Sequence, residues 1–89
     1  MHLLAYAMSG IASWFRPRAE YGQMHVCASN TIPISTRIVV MNTANGATTK
    51  CVVIGTGPFV RHRILDVSPS VARALGFSGL AYVRIYARR

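Results

Sequence analysis

The chain of 89 residues holds only two carboxylates, Glu20 and Asp66, against ten Lys and Arg. Asp66 ends the apolar run Ile64-Leu65 and is preceded by Arg61-His62-Arg63; upstream, the β-branched run Val52-Val53-Ile54 is broken by Gly55-Thr56-Gly57-Pro58. A carboxyl group can give and take a proton during bond cleavage. Cationic neighbours tune its ionisation or hold an anionic group, and glycine lets a ligand approach the backbone. Function is therefore expected where these pieces meet. The competing reading makes Asp66 a cap for the helix that Ser68-Pro69 announces. Glu20 reads as a solvated charge, the alternative being a second carboxyl supplied from its loop. His25 and His62 titrate near neutrality and are possible bases, although a histidine among arginines more often only adds to a basic patch.

Short strands must position these residues. Ile11–Phe15 is expected to be a strand ended by Arg16-Pro17-Arg18, because proline cannot donate to a ladder. His25–Ala28, Arg37–Met41 and Thr48–Ile54 follow, the last two joined at Asn45-Gly46, a strong type I′ hairpin signal. Ile64–Val67 leads into a two-turn helix with Ser68 as N-cap, Pro69 in the first turn, an apolar stripe through Val71, Ala72 and Leu75, and Gly76 as the stop. Along Leu80–Ala87, Tyr82, Arg84 and Tyr86 point one way and Ala81, Val83 and Ile85 the other. Short strands, one helix and no βαβ period predict a small all-β barrel.

Composition bounds the rest. The length supports one domain, and an apolar content of 52% argues against disorder. A net charge of +8 on so small a body favours polyanionic partners: nucleic acid, an anionic membrane surface or a cell-wall polymer. The longest apolar stretch, Leu3–Met8, is too short to span a membrane. Residues 1–10 read as an extension, a signal remnant or a native first strand. Cys27 and Cys51 lack the spacing of a zinc site, which leaves a disulfide or two buried thiols; no metal or other cofactor is expected. No phosphate-binding loop, zinc finger or RNA-recognition motif is present.

A family resemblance covers about Ile11 to Tyr86. Gly57-Pro-Phe-Val-Arg-His-Arg-Ile-Leu-Asp-Val-Ser68, followed by a helix ending in Leu75-Gly76, resembles the second half of the double-psi β-barrel of the rare lipoprotein A (RlpA) family of lytic transglycosylases. Expansins and barwin-like proteins are more distant relatives. Ile11-Ala-Ser-Trp-Phe15 is similar to that family's opening Ala-Ser-Trp-Tyr strand. Ala28–Ile38 resembles its Ala-His-x-Thr-Leu-Pro segment, and Asn42–Gly46 its Asn-Leu-x-Asn-Gly turn.

The resemblance implies a six-stranded double-psi β-barrel over residues 11–89, acting on peptidoglycan or a related glycan in the periplasm, the cell envelope or outside the cell. It also implies that a lytic transglycosylase can work with one acid/base, since the substrate's own C6 hydroxyl attacks the anomeric carbon. Three polar family positions are altered: Gln23 stands where the family has Glu, Ser29 where it has His, and Gly55 where it has Asp. Asp66 alone is retained, and the likeness to expansin-type relatives makes it the expected catalytic acid. Gly55, Thr56, Gly57, Pro58, Arg61, His62, Arg63, Gln23 and Ser29 are the expected substrate contacts. The barrel also brings Cys27 near the strand of Cys51, so a disulfide is expected there; closing that loop would add about 3 kcal/mol. Catalytic activity is left open by the three replacements. The alternatives are a non-catalytic peptidoglycan-binding module and, more weakly, a basic nucleic-acid-binding barrel. Nothing in the sequence sets the oligomeric state.

Overall fold

Alternation governs the barrel wall. Ile38, Val40 and Asn42 turn inward on one strand, Cys51 and Val53 on another, and Val83 and Ile85 on a third; all are buried, with solvent-facing residues between them. The computed structural model describes residues 4–88. Its strands are β1 (Leu4–Trp14), β2 (Val26–Ala28), β3 (Arg37–Asn42), β4 (Thr48–Gly55), β5 (Arg63–Val67) and β6 (Ala81–Arg88). They close in the order β1-β5-β2-β4-β3-β6, a six-stranded barrel with one short helix, α1 (Pro69–Leu75).

Two strand pairs run parallel, β1 with β5 and β2 with β4, and the antiparallel pair β2–β5 joins them. That junction aligns Ser13 with Asp66, Asp66 with Ala28, and Ala28 with Gly55. One row of residues thus crosses four strands and carries Asp66 to the middle of a sheet, flanked by small residues.

The helix forms as its sequence dictates. Ser68 is extended at the N-cap, Pro69 opens the first turn, and Val71, Ala72 and Leu75 are buried. Gly76 closes it in the left-handed conformation, φ 76°, its N–H reaching back to Ala72 and Arg73 carbonyls. The Asn42 and Asn45 amides both donate to the Leu75 carbonyl, at 2.9 and 3.0 Å.

That docking explains why the β3–β4 turn is not the expected type I′ hairpin. Such a turn needs positive φ at both central residues, yet only Gly46 has it, and Gly46 N–H bonds to the Asn42 carbonyl instead. The wider loop frees both asparagine side chains for the helix end. The first strand also differs from expectation. It begins at Leu4, and residues 4–10, read as an extension or a native strand, pair with β6; residues 1–3 lie outside the described residues. Trp14, at the end of this strand, is 39% exposed, with its Nε1 donating to the Ser78 carbonyl.

The expected disulfide is not formed: Cys27 and Cys51 are free, buried thiols. Register gives the reason. Cys27 pairs with Val53, two residues beyond Cys51 on the neighbouring parallel strand. That offset puts the two Cα atoms about 8 Å apart on ideal strand spacings, beyond the reach of a relaxed bridge. The thiols face the same interior instead; their mutual hydrogen bond, then burial, push the Cys27 thiol far above its usual range.

Candidate active site

Asp66 owes its place to backbone pairing on both flanks, with Ser13 on β1 and Ala28 on β2. Its carboxylate is half-buried, and Oδ1 accepts a hydrogen bond from the Ser13 hydroxyl. It does not cap α1; Ser68 holds that position. Oδ2 points toward Gly57, lying 3.9 Å from where a Cβ on that glycine would stand.

A cavity of about 310 Å³ opens over this carboxylate. One wall is the segment after β1, with Phe15, Arg16, Pro17, Arg18 and Tyr21; the other is Ala28 with Ile54, Gly55 and Thr56 at the end of β4. The volume sits near the lower end of the range for small-molecule sites, roughly 300–1,000 Å³, enough for a ring-sized group. Asp66 is the single carboxylate lining it among the described residues. Glu20, on the 3-10 turn Ala19–Tyr21, is engaged outside by Arg18 at 3.1 Å in an exposed ion pair. Arg16 stacks over the Trp14 ring, 5.5 Å from its centroid, and has no carboxylate partner among the described residues. The cavity is thus an acid flanked by guanidinium groups and aromatic rings, with a glycine edge.

Of the residues expected to contact substrate, Gly55 and Thr56 line the cavity with Asp66. Gly57 and Pro58 are buried in the turn behind, joined by a cis peptide bond. Arg61 and His62 are exposed, His62 at φ 69° in the β4–β5 turn, and neither lines the cavity. Arg63 pairs with Ile11 at the start of β5, far along the strand from the Ser13–Asp66 row. Gln23 is exposed and accepts a hydrogen bond from Arg73 at 2.8 Å. Ser29 is buried; its Oγ accepts the Thr31 and Ile32 N–H groups and its own N–H donates to the Gly55 carbonyl. It shapes the turn beside the cavity rather than its lining. His25 contacts Thr49 and Lys50, away from the lining.

Ser13, Arg16, Arg18 and Asn30 were not among the residues expected at the site. Asn30 clamps the glycine turn: its Oδ1 accepts the Gly57 N–H at 2.9 Å and its Nδ2 donates to the Pro58 carbonyl. The Arg-Pro-Arg step was legible as a strand stop; its two cations flanking a rigid proline were also a signal for a charged rim.

The chain is similar to several curated proteins. It is 33% identical over 94 residues to the endolytic peptidoglycan transglycosylase RlpA of Helicobacter pylori, covering 92% of this chain and 30% of that protein. Identity is 43% over 93 residues to a probable endolytic peptidoglycan transglycosylase RlpA of Nostoc, covering 89% and 25%. It is 36% over 92 residues to the corresponding protein of Neisseria meningitidis, covering 90% and 38%. The chain thus spans between 25% and 38% of the length of these three relatives. No protein-family model matches it.

Proposed function

We propose that this chain, which belongs to the RlpA-like family of double-psi β-barrel domains, acts on the glycan strands of peptidoglycan and cleaves them by intramolecular transglycosylation, with Asp66 as acid and base. The observation that carries this reading is the placement of Asp66: one carboxylate, lining a ring-sized cavity and held on a row that crosses four strands. Two carboxyl groups are the usual equipment for breaking a glycosidic bond, and the cavity offers one. An intramolecular nucleophile removes the need for the second.

In this scheme the Asp66 carboxylic acid gives its proton to the bridging glycosidic oxygen as the bond from that oxygen to C1 breaks. The C6 hydroxyl of the same sugar forms the new C1–O6 bond, and its proton returns to the carboxylate. No water is consumed, and the cut end leaves as a 1,6-anhydro sugar. Ser13 occupies Oδ1 and fixes the carboxyl plane, so Oδ2, beside Gly57, is the oxygen turned to substrate. Arg16, which has no carboxylate partner among the described residues, supplies positive charge for anionic groups on the polymer. Such a substrate puts the domain in the cell envelope or outside the cell.

One observation favours a second reading, a module that binds the glycan without cutting it. Where the family has Glu and His, this chain has Gln23 and Ser29, and both side chains are committed to hydrogen bonds outside the cavity. Digesting purified peptidoglycan with the parent protein and with Asp66→Asn, then identifying the soluble ends by mass spectrometry, separates the two readings.

A further inference from the structure

Phe59 is the most exposed large apolar residue of the barrel, at 84%, and the next residue, Val60, is 53% exposed. A ring left in water is explained neither by packing nor by chain flexibility at its base. The turn beneath is fixed, because Gly57 and Pro58 are buried and the Asn30 side chain grips both, one through its N–H and the other through its carbonyl. Phe59 is therefore held out on a rigid support.

Its position relative to Asp66 follows from Gly57. A Cβ on that glycine would lie 3.8 Å from Phe59 Cε2 and 3.9 Å from Asp66 Oδ2. Ring edge and carboxylate are therefore less than 8 Å apart, both beside a residue with no side chain. Phe59 is not part of the cavity lining, so the ring offers a contact to a strand beyond the cavity. Cutting an internal bond of a polymer requires sugars to be held on both sides of that bond. The cavity serves one side only.

We propose that Phe59 is the stacking platform for the sugar ring on the other side of the scissile bond from the ring held in the cavity. The inference rests on the peptidoglycan-glycan reading of the Asp66 site. A side chain at 57 would reach both ring and acid, and glycine leaves that space open. The apolar face of a pyranose covers an aromatic ring without needing a charged partner, and Arg61 and His62, both exposed, follow in the same turn to meet its hydroxyls.

The test uses soluble peptidoglycan-derived glycan strands of defined length, from disaccharide to octasaccharide, titrated against Asp66→Asn so that nothing is cut. Affinity should rise once a strand is long enough to pass the acid. That rise should be lost, about tenfold, on adding Phe59→Ala, and return with Phe59→Trp. Because Phe59 is so exposed, unchanged melting is expected in both variants. Equal affinity with Phe or Ala at 59 for every strand length overturns the proposal. So does a Phe59-dependent affinity for vesicles of anionic phospholipid with no effect on glycan. The two readings fail separately. A parent protein that makes no anhydro ends but shows Phe59-dependent glycan binding loses the cleavage scheme and keeps the platform; one that makes them while Phe59→Ala binds as tightly as Phe keeps the scheme and loses the platform.

Discussion

Replacing Asn30 with alanine removes the clamp on the glycine turn without touching the acid. Two hydrogen bonds disappear, from Gly57 N–H and to the Pro58 carbonyl. Each is worth about 0.5–1.5 kcal/mol net, so the two together, with the buried Gly57 N–H left unpaired, come to about 2 kcal/mol. For a domain of this size that lowers the melting temperature by about 8–16 °C. Urea denaturation followed by circular dichroism gives the free energy directly, and glycan binding is measured at a temperature where the variant is fully folded. The expected result is a loss of about 2 kcal/mol together with weakened glycan binding, because the wall of the cavity and the support of Phe59 move together. A loss below about 0.5 kcal/mol, the range of ordinary surface substitutions, with unchanged binding would refute the claim that the turn is held rigid by this side chain.

Gly76→Ala should cost about 2–3 kcal/mol, combining left-handed backbone strain with disturbance of the Asn45 bond to the helix end, since the new Cβ would lie 2.9 Å from Asn45 Nδ2. Gly79→Ala, with nothing within 4 Å, is the control and should be silent in the same denaturation experiment. The two cysteines should be unreactive to a thiol reagent in the native protein and react fully once it is denatured, with no mass difference between reduced and unreduced samples. The hydrogen bond with Cys51, then burial, keep Cys27 protonated in the folded state, so its contribution to stability is complete below the ordinary thiol value of 9.0 and declines as pH rises above it, by about 1.4 kcal/mol per pH unit. Melting scans from pH 8 to 10 should show that slope, reduced in Cys27→Ala.

Local signals were readable wherever a single segment determines its own conformation. The alternation of β6 places Ala81, Val83 and Ile85 inside and Tyr82 and Arg84 outside, as expected. Ser68, Pro69 and Gly76 bound the helix where their chemistry says they should. The ordered motifs also carried the barrel itself. What the sequence hid depends on pairings between distant strands. The parallel β1–β5 ladder brings the Phe15–Arg18 segment over Asp66, so the cations of the cavity are Arg16 and Arg18 rather than the adjacent Arg61 and Arg63. Proximity in sequence misled there because Arg63 lies at the other end of its strand. The cysteine pair failed for a similar reason: neighbouring strands were expected, but a two-residue offset in register is invisible until the strands are paired. Residues 4–10 alternate too weakly to announce a strand, and only β6 opposite them makes them one.

The role of Asp66 is read most directly from the product of the reaction. Peptidoglycan stripped of bound protein is incubated with the parent and with Asp66→Asn across pH 5 to 8, and the released fragments are analysed by mass spectrometry. Asparagine keeps the acceptor for the Ser13 hydroxyl, so the variant should melt close to the parent while losing the proton it must deliver. The parent should release 1,6-anhydro ends and Asp66→Asn at least about a hundredfold fewer, the usual loss when an acid–base group is removed. No anhydro ends from the parent at high protein load, or equal amounts from both proteins, would contradict that role.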